Sequence, residues 1–102
     1  MMKITKLQEE NQTFPSAEEF VMQETPVQGA QIGKRENDLY IVSPRRFKLF
    51  TTGMDRVYIL EGNGFFKWKR GETKFSAGDV FTVEEVGEYE INGNGKYFVV
   101  RK

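Results

Sequence analysis

The side chains that could do chemistry in this chain of 102 residues are carboxylates, amines, guanidinium groups and phenols, because the sequence contains neither His nor Cys. A Ser-His or Cys-His catalytic pair requires an imidazole or a thiol, and imidazole is also the usual nitrogen ligand of transition metals. The composition therefore excludes both kinds of site.

Asp55 is the carboxylate with the most suggestive neighbours, since Arg45, Arg46 and Lys48 precede it closely. A buried carboxylate needs a partner, because an unpaired charge inside a protein is costly or shifts its pKa. One interpretation is a polar pocket in which Asp55 and a cation clamp a sugar or a carboxylate. The other is an Asp that caps a turn at residues 52–55 and faces solvent.

Aromatic and charged clusters are the next candidates. Trp68 is the only Trp and could stack on a planar ligand or a sugar, although a single Trp in a small β-domain is more often a core residue.

A hard-cation site needs several oxygens that converge on one point. We interpret two charged clusters as solvated faces, one acidic (Glu84, Glu85, Glu88, Glu90) and one basic (Lys67, Lys69, Arg70, Lys74).

The composition limits the class of protein. Hydrophobic residues make up 38% of the chain, and fifteen Lys and Arg balance fifteen Asp and Glu. This predicts one domain with a core of its own. Zero net charge argues against a general nucleic-acid binder. The apolar runs are too short to span a membrane or to act as a secretory signal, so we expect no membrane partner and a cytoplasmic location.

The elements that position these side chains are predicted to be strands. From Gln28 onward the chain has short runs of Val, Ile, Phe, Tyr and Thr, and between Asn63 and Asn94 turn residues separate these runs every seven to nine positions. Such spacing is typical of an all-β sandwich or barrel. Residues 1–27 are more polar and read as an N-terminal extension of the 28–102 barrel. Ser16 to Glu19 form a capping-box pattern that predicts one helical turn, although residues 20–22 could also begin a strand.

A hairpin is predicted around Gly62-Asn63-Gly64, because Asn-Gly strongly favours a two-residue turn. Either register of this hairpin gives the same two faces. The second face is partly apolar, which indicates a covering layer or a second subunit, and hence a homodimer. The first face carries Asp55, Val57, Ile59, Glu61, Phe66 and Trp68, and the second carries Arg56, Tyr58, Leu60, Phe65, Lys67 and Lys69.

Residues 57–64 (VYILEGNG) and 75–81 (FSAGDVF) resemble the conserved motifs of a cupin, and the resemblance extends over roughly residues 39–101. The first cupin motif ends in an acidic residue, six further residues and a Gly, which matches Asp55 and Gly62. The second motif begins at Gly78 and places Tyr89 where the family has its last metal-binding His. The HxH pair of the family would fall on Lys48 and Phe50, or on Leu49 and Thr51, depending on a one-residue spacer.

The resemblance implies a double-stranded β-helix, or jelly-roll barrel. A metallocupin holds its ion with three His and one carboxylate, and this chain keeps only Asp55 of that set. We therefore expect no metal, no cofactor and none of the metal-dependent chemistry of the family. Tyr89 would be a hydrogen-bond donor to a ligand, a general acid, or a half-buried core Tyr. The residues expected to line a ligand site in the barrel interior are Lys48, Phe50, Asp55, Phe66, Trp68 and Tyr89.

The function predicted from these features is that of a metal-free module that binds a sugar-like or carboxylate small molecule. One alternative is a metal-independent sugar isomerase or epimerase, with Tyr89 as the acid and Asp55 or Lys48 as the base. Another is a structural or interaction homodimer whose barrel is filled by Phe and Trp side chains.

Overall fold

The computed structural model describes residues 2–8 and 12–102, and these are mostly β-structure. The strands within this part pair in antiparallel fashion, so the prediction of an all-β fold is confirmed. No helix among these residues is long and apolar enough to cross a membrane. The elements are β1 (Lys3–Lys6), a 3₁₀ helix (Ala17–Glu19), β2 (Val21–Met22), β3 (Gln31–Arg35), β4 (Asp38–Ser43), β5 (Arg46–Thr51), β6 (Met54–Trp68), β7 (Gly71–Ser76), β8 (Val80–Glu84), β9 (Gly87–Asn92) and β10 (Gly95–Arg101).

The long strand β6 belongs to two sheets and joins them. Its first part pairs with β8 and β10 in a sheet of order β1-β8-β6-β10-β4-β3-β2. Its last part pairs with β7 and β9, and β9 also pairs with β5. Apolar side chains from both sheets form the main core, which includes Val57, Ile59, Phe66, Phe81 and Tyr97.

The hairpin predicted at Asn63-Gly64 is wrong, because β6 continues from Met54 to Trp68 without a turn. Ile59 and Phe66 nevertheless both enter the core, as the predicted faces required. A β-bulge explains this: Lys96 pairs with Glu61 and Tyr97 pairs with Ile59, so Leu60 has no partner on β10. An extra residue on one strand reverses its inward–outward alternation. Glu61, which we had assigned to the inward face, is exposed.

The glycines of this segment allow two backbone segments of the chain to approach closely. A Cβ at Gly62 would overlap the carbonyl oxygen of Asn94, and one at Gly64 would overlap that of Asn92. Gly62 also has a φ of +98°, a conformation that favours glycine. The Gly-Asn-Gly pattern therefore marks the place where β6 passes the junction of β9 and β10.

The N-terminal segment covers the outer face of the larger sheet. Ser16 caps the 3₁₀ helix by accepting a hydrogen bond from the Glu18 amide at 3.4 Å, which confirms the predicted helical turn. The ring of Phe14 packs edge-on against Tyr58, with centroids 5.3 Å apart. Phe20 packs against Phe98 at 5.4 Å. Part of the apolar face that indicated a second subunit is thus covered by the chain itself, and the homodimer stays a prediction.

Candidate functional site

Asp55 and Tyr89 form a buried hydrogen-bonded pair on the inner side of the barrel wall, and the partly exposed Arg101 lies beside this pair. Asp55 is only 1% exposed, and the Tyr89 hydroxyl donates to its Oδ2 at 2.7 Å. Arg101 lies directly opposite Asp55 on β10, and its Nη2 is 3.5 Å from the same oxygen. A phenol donor and a cation thus compensate the carboxylate charge, as burial requires.

The interpretation of Asp55 as a solvent-facing cap is wrong, because Asp55 is buried, whereas the ligand clamp stays a prediction and the cation beside Asp55 is a different one. Arg45, Arg46 and Lys48 are exposed, whereas Arg101 supplies the charge. Arg101 was missed because it is remote from Asp55 in the sequence. Only the pairing of β6 with β10 brings the two residues together, and no local signal in the sequence predicts that pairing.

The environment of Tyr89 holds its proton firmly. Burial raises the pKa of the Tyr89 hydroxyl well above its usual value, and the negative charge and hydrogen bond of Asp55 raise this pKa further, whereas Arg101 opposes the change. The neutral phenol therefore acts as a fixed donor to Asp55. A general acid works best with a pKa near the working pH, so this geometry is unsuited to acid catalysis by Tyr89.

Strand β5 shows which of the two alternative residue pairs, Lys48 and Phe50 or Leu49 and Thr51, faces the core. Its side chains alternate, with Leu49 and Thr51 buried and Lys48 and Phe50 exposed. Lys48 and Phe50 were predicted in the barrel interior, and this placement is corrected: with a period of two, burial of Phe47 and Leu49 turns Lys48 and Phe50 outward. Leu49 is instead the residue that pairs with Tyr89 across the strands.

The donors at this position do not fit the metal ion of a metallocupin. Leu49 offers no ligand atom, and the Thr51 hydroxyl already accepts a hydrogen bond from the Gly53 amide. The one carboxylate, Asp55, is held by Tyr89 with the Arg101 guanidinium beside it. In residues 2–8 and 12–102 no group of three or more His, Cys, Asp or Glu side chains could hold a metal ion.

Aromatic side chains fill the barrel interior. Phe66 is fully buried, with its ring centroid 5.2 Å from that of Phe75 and 4.6 Å from that of Phe81. Trp68 is partly buried against the same core. Its indole Nε1 is buried and has no hydrogen-bond partner within the part of the chain described. Phe66, Phe75 and Phe81 therefore occupy this part of the interior.

A groove of about 620 Å³ lies along β9 and the end of β6, and we call it the β9 groove. Lys48 and Lys67 stand on either side of Glu90, since both pair with it in the strand register. The groove brings together three of the six predicted residues, Lys48, Trp68 and Tyr89, whereas Phe50, Asp55 and Phe66 are not among its lining residues. The lining residues are Lys48, Lys67, Trp68, Lys69, Val86, Gly87, Glu88, Tyr89 and Glu90.

Comparison with solved structures identifies the architecture. Mannose 6-phosphate isomerase from Bacillus subtilis matches 76% of this chain with a TM-score of 0.62 and 15% sequence identity. The enzyme from Salmonella typhimurium, with substrate and zinc bound, matches the same share with a TM-score of 0.57 and 8% identity. The chain has a cupin-like fold.

The likeness is one of fold. The cupin-like chain spans 27% of the Bacillus enzyme and 22% of the Salmonella enzyme, about a quarter of their lengths. No protein-family model matches the sequence, and no curated protein matches it either. The chemistry of the site depends on its own residues, because one fold carries many functions.

Proposed function

We propose that this chain is a metal-free module that binds a small molecule of sugar-like or carboxylate chemistry in the β9 groove. The observation that carries the proposal is the meeting of Trp68 with Lys48 and Lys67 along a groove of about 620 Å³. Ligand pockets commonly have volumes of about 300–1,000 Å³, apolar linings and a few polar groups. The packing of Phe66 with Phe75 and Phe81 in the interior favours the β9 groove over a position inside the barrel.

The side chains of the groove suit a ligand rich in oxygen atoms. The indole N–H of Trp68 lacks an acceptor among the described residues, and a buried donor without a partner loses its hydration without compensation. Because this N–H is buried, a ligand accepts a hydrogen bond from it only if the indole shifts toward the groove. Lys48 and Lys67 supply ammonium donors, while Glu88 and Glu90 can accept hydrogen bonds from sugar hydroxyls.

The isomerase alternative rests on the likeness of fold and not on the site. The similar structures are sugar-phosphate isomerases, which makes sugar-like compounds the first to test. The residue that would serve as the acid, Tyr89, is bound to Asp55 and has a raised pKa. We therefore propose binding without catalysis.

The single Trp provides the test, because its fluorescence reports on the β9 groove directly. Neutral sugars, sugar acids and small carboxylates are titrated into the protein while Trp emission and the thermal midpoint are followed. A true ligand changes the emission saturably and raises the midpoint, since a ligand at 100 times its Kd stabilises the native state by about 2.7 kcal/mol.

Two variants locate the site. Lys67→Gln should weaken binding of a carboxylate, and Lys34→Gln, which removes an exposed charge on β3, should leave it unchanged. Failure of every compound to change both emission and midpoint would refute the proposal, as would equal effects of the two variants.

A further inference from the structure

A second depression lies beside β5, and its side chains carry positive charge without negative charge. This recess has a volume of about 650 Å³ and is lined by Gln28, Gly29, Pro44, Arg45, Arg46 and Lys48. We call it the Arg45–Arg46 recess. It shares only Lys48 with the β9 groove, so the two sites can be tested separately.

Gln28 ties one wall of the recess to the other. Its side-chain carbonyl accepts a hydrogen bond from the Lys48 amide at 2.8 Å, and its side-chain NH₂ donates to the Lys48 carbonyl at 2.9 Å. Among the strands described, β5 pairs only with β9, so its other edge is open at this point. The Gln28 carboxamide thus binds that edge as a neighbouring strand would.

The turn that carries Gln28 is tightly closed. Val27 and Ala30 exchange two backbone hydrogen bonds, at 3.0 and 2.9 Å. Between them Gln28 and Gly29 both have positive φ, 53° and 78°. A left-handed conformation at a residue other than glycine costs free energy and persists only where the surroundings hold it. The two bonds to Lys48 supply that restraint, so this wall of the recess is preorganised.

The two guanidinium groups of the recess are available to a ligand. Within residues 2–8 and 12–102, neither Arg45 nor Arg46 has a side-chain hydrogen bond or an ion pair, whereas Arg35 is bound by Glu19 and Asp38. Arg46 lies opposite the neutral Asn92 in the strand register. Lys48 lies opposite the acidic Glu90 in the register and also lines the β9 groove, so Arg45 and Arg46 are the cations that belong to the recess alone.

The main chain at these arginines is anchored. The carbonyl oxygen of Arg45 accepts a hydrogen bond from the Gly93 amide at 2.7 Å, and Arg46 begins β5. Two forked donors are therefore displayed from a supported backbone beside a fixed turn. Guanidinium groups bind tetrahedral and planar oxyanions through pairs of parallel hydrogen bonds, with geometry that an ammonium group cannot reproduce.

We propose that the Arg45–Arg46 recess is a binding site for a small oxyanion of the phosphate type. The site goes beyond the proposed function, since it requires neither Trp68 nor the β9 groove. Zero net charge of the whole chain makes a general attraction of anions weak, so binding here has to come from the local arrangement of charges.

The test is a titration of ¹⁵N-labelled protein with inorganic phosphate, at constant ionic strength maintained with chloride and followed by amide chemical shifts. The expected result is saturable shifts centred on Gly29, Arg45 and Arg46. The charge-retaining variant R45K/R46K should weaken phosphate binding about tenfold, because the forked hydrogen bonds are lost while the charge stays. R45Q/R46Q should weaken it further.

Two more variants complete the design. Arg70→Gln removes an exposed cation outside the recess and should leave the affinity unchanged. Gln28→Ala should weaken binding with both arginines intact, because the turn loses its attachment to β5. Shifts that rise linearly with phosphate, shifts that spread over other cationic segments, or equal affinities in R45K/R46K and the unmodified protein would overturn the proposal. If R45Q/R46Q still binds the small-molecule ligand of the β9 groove, as measured by the fluorescence of Trp68, the recess and the β9 groove are separate sites.

Discussion

Removal of the Tyr89 hydroxyl is the sharpest perturbation of the buried group, because Tyr89→Phe keeps the ring and deletes one donor. In the native protein this hydroxyl donates to Asp55 Oδ2 at 2.7 Å, and both residues are 1% exposed. After the substitution the one partner that this oxygen retains among the described residues is the Arg101 guanidinium, at 3.5 Å. Water cannot easily replace the lost donor at such a buried position.

The expected loss follows from the charge of the acceptor. A hydrogen bond to a charged group contributes about 1.5–3 kcal/mol, so Tyr89→Phe should lower the free energy of unfolding by that amount. For a domain of this size each kcal/mol shifts the thermal midpoint by about 4–8 °C. Urea unfolding at neutral pH, followed by the fluorescence of Trp68, measures the change.

Tyr58→Phe is the matched control. Tyr58 is also buried, on the other face of the sheet, and its hydroxyl has no hydrogen bond within the described part of the chain. Its removal should change the free energy of unfolding by less than about 0.5 kcal/mol. A double-mutant cycle of Tyr89→Phe with Asp55→Asn isolates the pair, with an expected coupling of about 1–3 kcal/mol. A loss no larger than that of Tyr58→Phe would refute our account of the group.

Three further predictions concern alkaline pH, the glycine crossing and the N-terminal cover. The pKa of Tyr89 is raised in the folded state, so the contribution of its hydroxyl to the free energy of unfolding is complete below pH 10 and declines as the pH rises toward the folded pKa. The difference in stability between the unmodified protein and Tyr89→Phe, measured in urea from pH 8 to 11, should therefore shrink above pH 10. A difference that grows with pH would contradict this. Burial also raises the pKa of Tyr97, to about 12, but Tyr97 titrates in both proteins and cancels in the difference. Gly64→Ala should lower the free energy of unfolding by more than about 2 kcal/mol, since the new Cβ would overlap the Asn92 carbonyl oxygen. Unchanged stability in urea would show that the two backbone segments can move apart. Phe20→Ala should lower the free energy of unfolding by about 3–5 kcal/mol, because Phe20 is only 6% exposed and packs against Phe98. A loss as small as that of an exposed residue would show that the N-terminal segment does not cover the sheet.

Much of the fold could be predicted from local patterns. The spacing of turn residues indicated strands, Ser16 indicated a helical turn, and the lack of His excluded the usual metal ligands. Gly62-Asn63-Gly64 was identified as a special backbone position but misassigned. Glycine is favoured both in a hairpin turn and where two backbone segments cross closely. Here the other segment contains Asn92 and Asn94, which are remote in the sequence, so the local pattern could not reveal the crossing.

The candidate site was predicted in part. The motif spacing of the resemblance put Asp55 and Tyr89 at two metal-ligand positions of the family and in the barrel interior, and the structure shows their side chains hydrogen-bonded to each other. It left the register of β5 open by one residue, which decides whether Lys48 or Leu49 faces the core. That choice depends on the burial of the whole strand face.

The residues that favour turns and the alternation of apolar and polar residues along a strand depend on neighbouring residues, so the amino-acid sequence suffices to predict the strands and turns. The partnership of Arg101 with Asp55, the bulge at Leu60 and the two depressions on either side of Lys48 arise from strands that are far apart in the chain. Their alignment is set by which faces are buried together and where backbones can touch, and those constraints act only once the barrel has closed.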